Sequence, residues 1–202
     1  MSQRKSTTLS LGARIIDGVR WRLGRVGIHI TAFVTIREDA TSTNELPADP
    51  AFTFCELVEA DTDELIRLEP EYSRERILGW FGHGDRCFGL RDGSRLVAKG
   101  WCDLQEVNFP PAHRKLERGE VYMFGAYSDP AYRGRNLAPM LRSACYAELR
   151  KRGFTRFYSH SDYFNTAARR FKQKLGAVEE DLKIQVRLSD KWSRTFTVWR
   201  YD

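Results

Sequence analysis

The chain has 202 residues, 42% hydrophobic, 12% aromatic and 30% charged, a balance that excludes disordered, collagenous and disulfide-scaffold classes and leaves room for one compact domain with an appendage. Lys and Arg number 33 against 27 Asp and Glu, a net charge of +6 that favours anionic partners. The four cysteines, Cys55, Cys87, Cys102 and Cys145, stand far apart with no CxxC pair or His/Cys cluster, so neither structural zinc nor any other metal is expected. The polar stretch Met1 to Ser10 does not read as a signal peptide. Apolar windows are too short for a membrane span, and a reducing cytoplasm is the expected location.

In chain order, Leu11, Ile15, Ile16, Val19 and Leu23 recur at helical spacing among arginines, which predicts a basic amphipathic helix over Ser10 to Arg25. A β-branched alternating run, Gly27 to Arg37, predicts a strand. Glu38 to Pro50 is rich in Thr, Ser, Asn, Asp and Pro and reads as a linker. Residues 1–50 are therefore expected to be an N-terminal extension and 51–202 the main domain. The extension's helix faces its own core, a sister subunit, an anionic membrane surface or a carrier protein. Its strand would be hazardous as a free edge and suggests a homodimer paired through it.

From Ala51 the pattern predicts a strand (52–58), two helical pieces (61–68 and 72–81) and two strands (85–90 and 95–104) around an Asp92-Gly93 hairpin turn. Gln105 to Gly119 follows as a loop, then a strand (121–127), a basic turn and a helix (137–152). A strand (154–159), a helix (165–175) and two closing strands (178–188 and 194–200) complete a mixed α/β sheet flanked by helices.

Chemistry concentrates at Tyr132-Arg133-Gly134-Arg135-Asn136-Leu137-Ala138. A strand that ends in a basic turn and opens a helix aims unpaired backbone amides and the positive end of the helix dipole at one point, which suits a pyrophosphate. Arg133 and Arg135 add charge-assisted contacts, and Asn136 tolerates a left-handed backbone. A plain turn with two solvated arginines is the bland alternative.

These residues resemble a family. The run Tyr122 to Leu141 resembles the acyl-CoA-binding motif Gln/Arg-x-x-Gly-x-Gly/Ala of the GNAT superfamily of N-acetyltransferases, with Arg133 and Ala138 at its ends and Asn136 where the family usually carries Gly. Asn165-x-x-Ala168-x-x-Phe171, followed by Leu175-Gly176, resembles the family's later motif. The resemblance covers roughly Phe52 to Asp202. It implies a mostly antiparallel sheet with a V-shaped splay between two parallel strands, into which the pantetheine arm of acetyl-CoA enters. Ala126, Tyr127 and Ser128 would pair with that arm, Gly134 to Ala138 would hold the pyrophosphate, and Asn165, Ala168 and Phe171 would line the opposite wall. Core packing for Ala168 and Phe171, and an N-cap for Asn165, are the competing readings.

Amide formation makes two demands. An alkylammonium has a pKa near 10.4, so presenting the neutral amine at pH 7 costs about 4.6 kcal/mol, and the departing thiolate gains from a proton donor. By resemblance the donor is a Tyr directly after the later motif's aromatic, where this chain has Lys172; Tyr163, Tyr127 and Ser161 are nearby substitutes. Glu120, opening the central strand, and His160 are candidate bases, with His83 and His113 as loop alternatives. The reading is an acyl-CoA-dependent N-acetyltransferase acting on a small-molecule primary amine by direct attack, with no metal. A long-chain N-acyltransferase fed by an acidic acyl carrier protein and a non-catalytic acyl-CoA-binding module are the alternatives. No nucleic-acid-binding motif is present. Arg91, Arg95 and Lys99 hint at an acidic or phosphorylated acceptor.

Overall fold

The computed structural model describes residues 27–38, 49–189 and 192–201; the amphipathic helix expected over Ser10 to Arg25 lies outside them. Ten strands are described: β1 (His29–Arg37), β2 (Thr53–Leu57), β3 (Arg86–Asp92), β4 (Arg95–Asp103), β5 (Glu106–Val107), β6 (Arg114–Lys115), β7 (Glu120–Ser128), β8 (Arg156–Asp162), β9 (Val178–Ser189) and β10 (Trp192–Arg200). Four helices accompany them: α1 (Thr62–Leu68), α2 (Arg74–His83), α3 (Leu137–Lys151) and α4 (Thr166–Lys174). Eight strands form one sheet in the order β10-β9-β1-β8-β7-β4-β3-β2, and β5 and β6 pair separately. Within the large sheet the β7–β8 pair is parallel and its other pairings are antiparallel.

Helices cover both faces. On one, Leu141, Cys145 and Leu149 of α3 pack on Val121, Met123 and Phe157 of β7 and β8, the apolar stripe that helical spacing provides. On the other, Leu65 and Leu68 of α1 and Ile77 of α2 pack on Leu57, Cys87 and Trp101. Ser73 caps α2 by accepting the Arg76 N–H at 3.2 Å.

Three features depart from the sequence-based expectations. The segment Gln105 to Gly119, read as loop, contains the small β5–β6 hairpin. The strand expected to close at Ser159 runs to Asp162, so His160 and Asp162 lie within β8. The largest difference concerns β1, which is an interior strand, hydrogen-bonded antiparallel to β8 on one side and β9 on the other. It is neither a free edge nor available for pairing between subunits. Phe33, Val34 and Ile36 are all fully buried although they do not all share a face, because both faces are covered: Phe33 meets Phe109 and His160, and Val34 and Ile36 pack with Tyr163, Ala177 and Leu182.

Glu38, read as the first residue of a linker, is 1% exposed. It accepts hydrogen bonds from Tyr146 and Ser159 and faces Arg142 at 3.5 Å and Lys172 at 3.7 Å. Burial by itself would raise its pKa, but the charges of Arg142 and Lys172 and the two hydroxyl donors hold it below the usual carboxylate value. Breaking a buried ion pair by removing one partner costs about 3–5 kcal/mol. Glu38→Ala is therefore expected to lower the thermal midpoint by roughly 10 °C, whereas Glu59→Ala, on an exposed turn residue, leaves it within about 2 °C; thermal denaturation followed by circular dichroism checks both.

Candidate functional site

Strands β7 and β8 pair only over Glu120↔Arg156, Val121↔Phe157 and Tyr122↔Tyr158. Beyond that point β7 continues along β4 and β8 along β1, so the two diverge. The divergence is reinforced by a bulge. Lys99 pairs with Tyr127 and Trp101 with Phe124, which leaves one extra residue on β7. Gly125 takes φ +56° at the bulge, and a Cβ there would stand 3.1 Å from the Trp101 ring. Glycine meets both conditions, the left-handed backbone and the close approach. Lys99 fixes the bulge by donating to the Gly125 carbonyl at 2.7 Å, and is itself paired with Glu69 at 2.6 Å. Burial lowers the Lys99 pKa against the pull of Glu69.

Past the bulge, a narrow cleft lies between β7 and α3, with Ala126, Tyr127, Ala138, Leu141, Arg142 and Cys145 among its walls. Three residues singled out from sequence, Ala126, Tyr127 and Ala138, meet here. At its mouth Asp129 accepts the Ala131 N–H at 2.9 Å and pairs with Arg95 at 2.8 Å, shaping the short turn Pro130–Tyr132. Gly134 follows at φ +84° and Asn136 at φ +56°, the one non-glycine residue with positive φ among those described. Asn136 occupies the N-cap of α3 without a side-chain cap bond, so that side chain leaves the helix's first-turn amides uncapped. Arg133, Gly134 and Arg135 are exposed around them, and Leu137 is buried as the helix's first anchor.

On the facing wall Asn165 caps α4, its side chain accepting the Ala168 N–H at 3.1 Å. This is the competing role foreseen for it. Phe171 is half-buried beneath the Arg142 guanidinium, 5.9 Å from its ring centroid. Ser128, at the end of β7, pairs in register with Ala98.

The candidate catalytic residues do not converge. Glu120 sits where β7 and β8 are still paired, away from the divergence, and its carboxylate meets Arg114 at 2.7 Å, Arg156 at 3.6 Å and the Glu117 N–H at 2.9 Å. Burial opposes, but Arg114 and the backbone donor prevail and hold its pKa low. His160 is stacked on Phe109 at 4.7 Å, edge-on to Phe33, and 3.4 Å from the Tyr122 hydroxyl. Burial, helped by the charges of Lys183 and Lys172, drives its pKa down to about 3, so the imidazole is neutral. Tyr163 packs with Val34, Ile36 and Ala177, with Arg169 over its ring at 4.8 Å. Lys172 is buried; it donates to Ser159 at 2.7 Å, Ser161 at 2.9 Å and the His160 carbonyl at 3.3 Å. Burial lowers its pKa to about 8 against the opposing pull of Glu38. Among the loop histidines, His83 contacts Asp85 at 3.0 Å and His113 contacts Glu106 at 3.0 Å.

The cations that hinted at an acidic acceptor are taken up within the chain: Arg91 by Asp61 and Glu64, Arg95 by Asp129, Lys99 by Glu69. Arg142, absent from the sequence-based candidates, lines the cleft. A charged residue facing inward on the otherwise apolar stripe of α3 was the available signal.

The splayed parallel pair agrees with the fold that the resemblance implies, and the sequence model described as Acetyltransferase (GNAT) family matches residues 53–177, more than half of the chain. The chain belongs to the GNAT acetyltransferase family. No curated protein matches it. Among solved structures, a GNAT-family protein from Novosphingobium aromaticivorans shares 24% identity at a TM-score of 0.57 over 78% of this chain. This chain spans 65% of that protein's length. The ribosomal-protein-S18-alanine N-acetyltransferase of Escherichia coli is similar at 19% identity and TM-score 0.52, over 68% of this chain and 94% of that one. YncA of Salmonella typhimurium, whose structure holds its cofactor acetyl-CoA, is similar at 17% identity and TM-score 0.51, over 62% of this chain and 79% of that one. These likenesses carry the GNAT fold. No helix of the described residues is long and apolar enough to cross a membrane.

The left-handed Asn136 predicts a clean asymmetry. Asn136→Gly is expected to keep or raise the thermal midpoint, whereas Asn136→Val, β-branched at φ +56°, lowers stability by about 1–2 kcal/mol; differential scanning calorimetry of the two variants decides.

Proposed function

We propose that the chain is an N-acetyltransferase that moves the acetyl group of acetyl-CoA to a primary amine by direct attack on the thioester. The observation that carries the reading is the cleft between the bulged β7 and α3, which opens beside an uncapped helix start flanked by Arg133 and Arg135. In this reading the first-turn amides of α3 and the two arginines hold the diphosphate. Ala126, Tyr127 and Ser128 pair with the pantetheine in the manner of an added strand. In this reading Leu141, Arg142 and Cys145, on the α3 side of the cleft, face the acyl end, and the acyl group is acetyl.

The acid in this reading is Lys172. Its pKa of about 8 lies close to that of a thiol, so proton delivery to the departing sulfur is nearly isoenergetic. Ser159 and Ser161 hold its ammonium in place. Arg142 and Lys172 together carry one more positive charge than Glu38 returns, which favours a developing thiolate. For the base, Glu120 is neutralised by arginines and His160 is too acidic to compete for an ammonium proton, which favours loss of the amine proton to water. An acyl-enzyme on Cys145 is disfavoured, because burial pushes that thiol up to about 12.

Steady-state release of CoA from acetyl-CoA against a panel of small-molecule and peptide amines tests the reading; tight CoA binding without turnover would instead mark a non-catalytic binding module. Stabilisation of the chain by palmitoyl-CoA but not acetyl-CoA would point to the long-chain enzyme. Lys172→Met is expected to lower kcat about 100-fold or more. In the parent enzyme kcat falls as pH rises through about 8, where Lys172 loses its proton, and that limb is absent from the Met variant.

A further inference from the structure

The end of α2, the residue preceding β3 and the last residue of β4 meet on the sheet face opposite α3. There His83, Asp85 and Asp103 bring one ligand atom each within 4.8 Å of the others. Asp103 has no exposed surface and Asp85 only 3%, while the His83 side chain is 37% exposed and forms the outer side of the group.

One oxygen of each carboxylate is committed. Asp103 Oδ1 accepts the N–H groups of Gln105 at 2.8 Å and Glu106 at 2.9 Å, and Asp85 Oδ1 meets His83 Nδ1 at 3.0 Å. The remaining oxygens, Asp85 Oδ2 and Asp103 Oδ2, are buried with no hydrogen-bond partner among the described residues. The other buried carboxylates among the described residues are matched by cations: Glu38 by Arg142 and Lys172, Glu120 by Arg114. Here neither aspartate has a Lys or Arg ion pair among the described residues, and the two repel one another. Two facing carboxylates in the interior, each with an orphaned oxygen, require a positive charge between them.

We infer that His83, Asp85 and Asp103 bind a divalent metal cation. One imidazole nitrogen and two carboxylate oxygens form a set that suits Zn²⁺ or Mn²⁺, with water completing the shell from the exposed His83 side. Sequence spacing does not disclose the set, because the fold assembles it from three elements. None of the three residues lines the cofactor cleft, so the cation is a clasp rather than a participant in acyl transfer. It ties the end of α2 to the root of the β5–β6 hairpin, where Gln105 already donates to the His83 carbonyl. Asp103 also faces Tyr122 in the strand register, so the clasp fixes the floor beneath the point where β7 and β8 diverge.

The test uses the full-length chain stripped with a chelator and titrated with Mn²⁺, followed by electron paramagnetic resonance, with thermal denaturation in Mn²⁺ and in Zn²⁺. The expected result is one saturable Mn²⁺ per chain and a thermal midpoint raised by roughly 5 °C or more at saturation, both lost in Asp103→Asn and in His83→Ala. Should Asp103→Asn fail to fold, His83→Ala, altered at an exposed side chain, carries the comparison. Absence of saturable binding in the parent, or binding undiminished in His83→Ala, overturns the proposal. So does a chain that ignores both cations and grows more stable on acidification, which would assign the site to a proton shared by the two carboxylates.

Discussion

Positive charge buried in a protein interior has to be answered by negative charge, and much of the arrangement here follows from how that is done. Arg142 on α3 and Lys172 on α4 are both buried and both face Glu38. Their counter-ion comes from outside the 53–177 span that the family model matches. Glu38 reaches them because β1 lies between β8 and β9, with ladder hydrogen bonds on both sides. The strand is thereby held by backbone pairing and by the carboxylate just beyond its end, and β8, the outer wall of the divergence, gains a paired edge. With two cations for one carboxylate, this wall retains positive potential behind the cleft.

The same accounting explains why a chain of net charge +6 shows so few uncommitted cations near its cleft. Arg91, Arg95 and Lys99 are each paired with acidic side chains of the chain's own, and Arg152 bridges Glu56 and Glu148. These pairs act as braces between elements. Basic character at the mouth comes instead from Arg133 and Arg135, exposed on the turn before α3.

Much of the fold was legible in the sequence because periodicity and turn chemistry are local. The apolar stripe of α3, the Asp92-Gly93 turn and the glycine-bearing turn before α3 follow from neighbouring residues alone. The mouth of the cleft was legible for the same reason, including Asn136 as a residue that accepts positive φ. What was not legible depends on distant partners. Nothing in Gly27 to Arg37 says whether the strand will be an edge or an interior element, and nothing in a Thr- and Ser-rich segment marks Glu38 as buried. Glu120 and His160 look alike from sequence as titratable residues on strands. One meets two arginines and the other is enclosed by aromatic rings, contacts contributed by segments far along the chain. Lys99 was noticed for its charge but not for holding the Gly125 bulge, because the bulge arises only when β4 and β7 pair out of step.

The position of β1 bears on the order in which the molecule is assembled. A chain emerging from the ribosome presents residues 29–37 before their partners, because Thr35 is paired with His160 on one side and Asp181 on the other. Those partners are synthesised long after it. The segment must wait, apolar and unpaired, until β8 and β9 exist, and closing so long a loop is entropically costly. Seating β1 is thus a late event that joins segments far apart along the chain, and a nascent chain halted before β8 would expose an adhesive β-branched strand with nowhere to go.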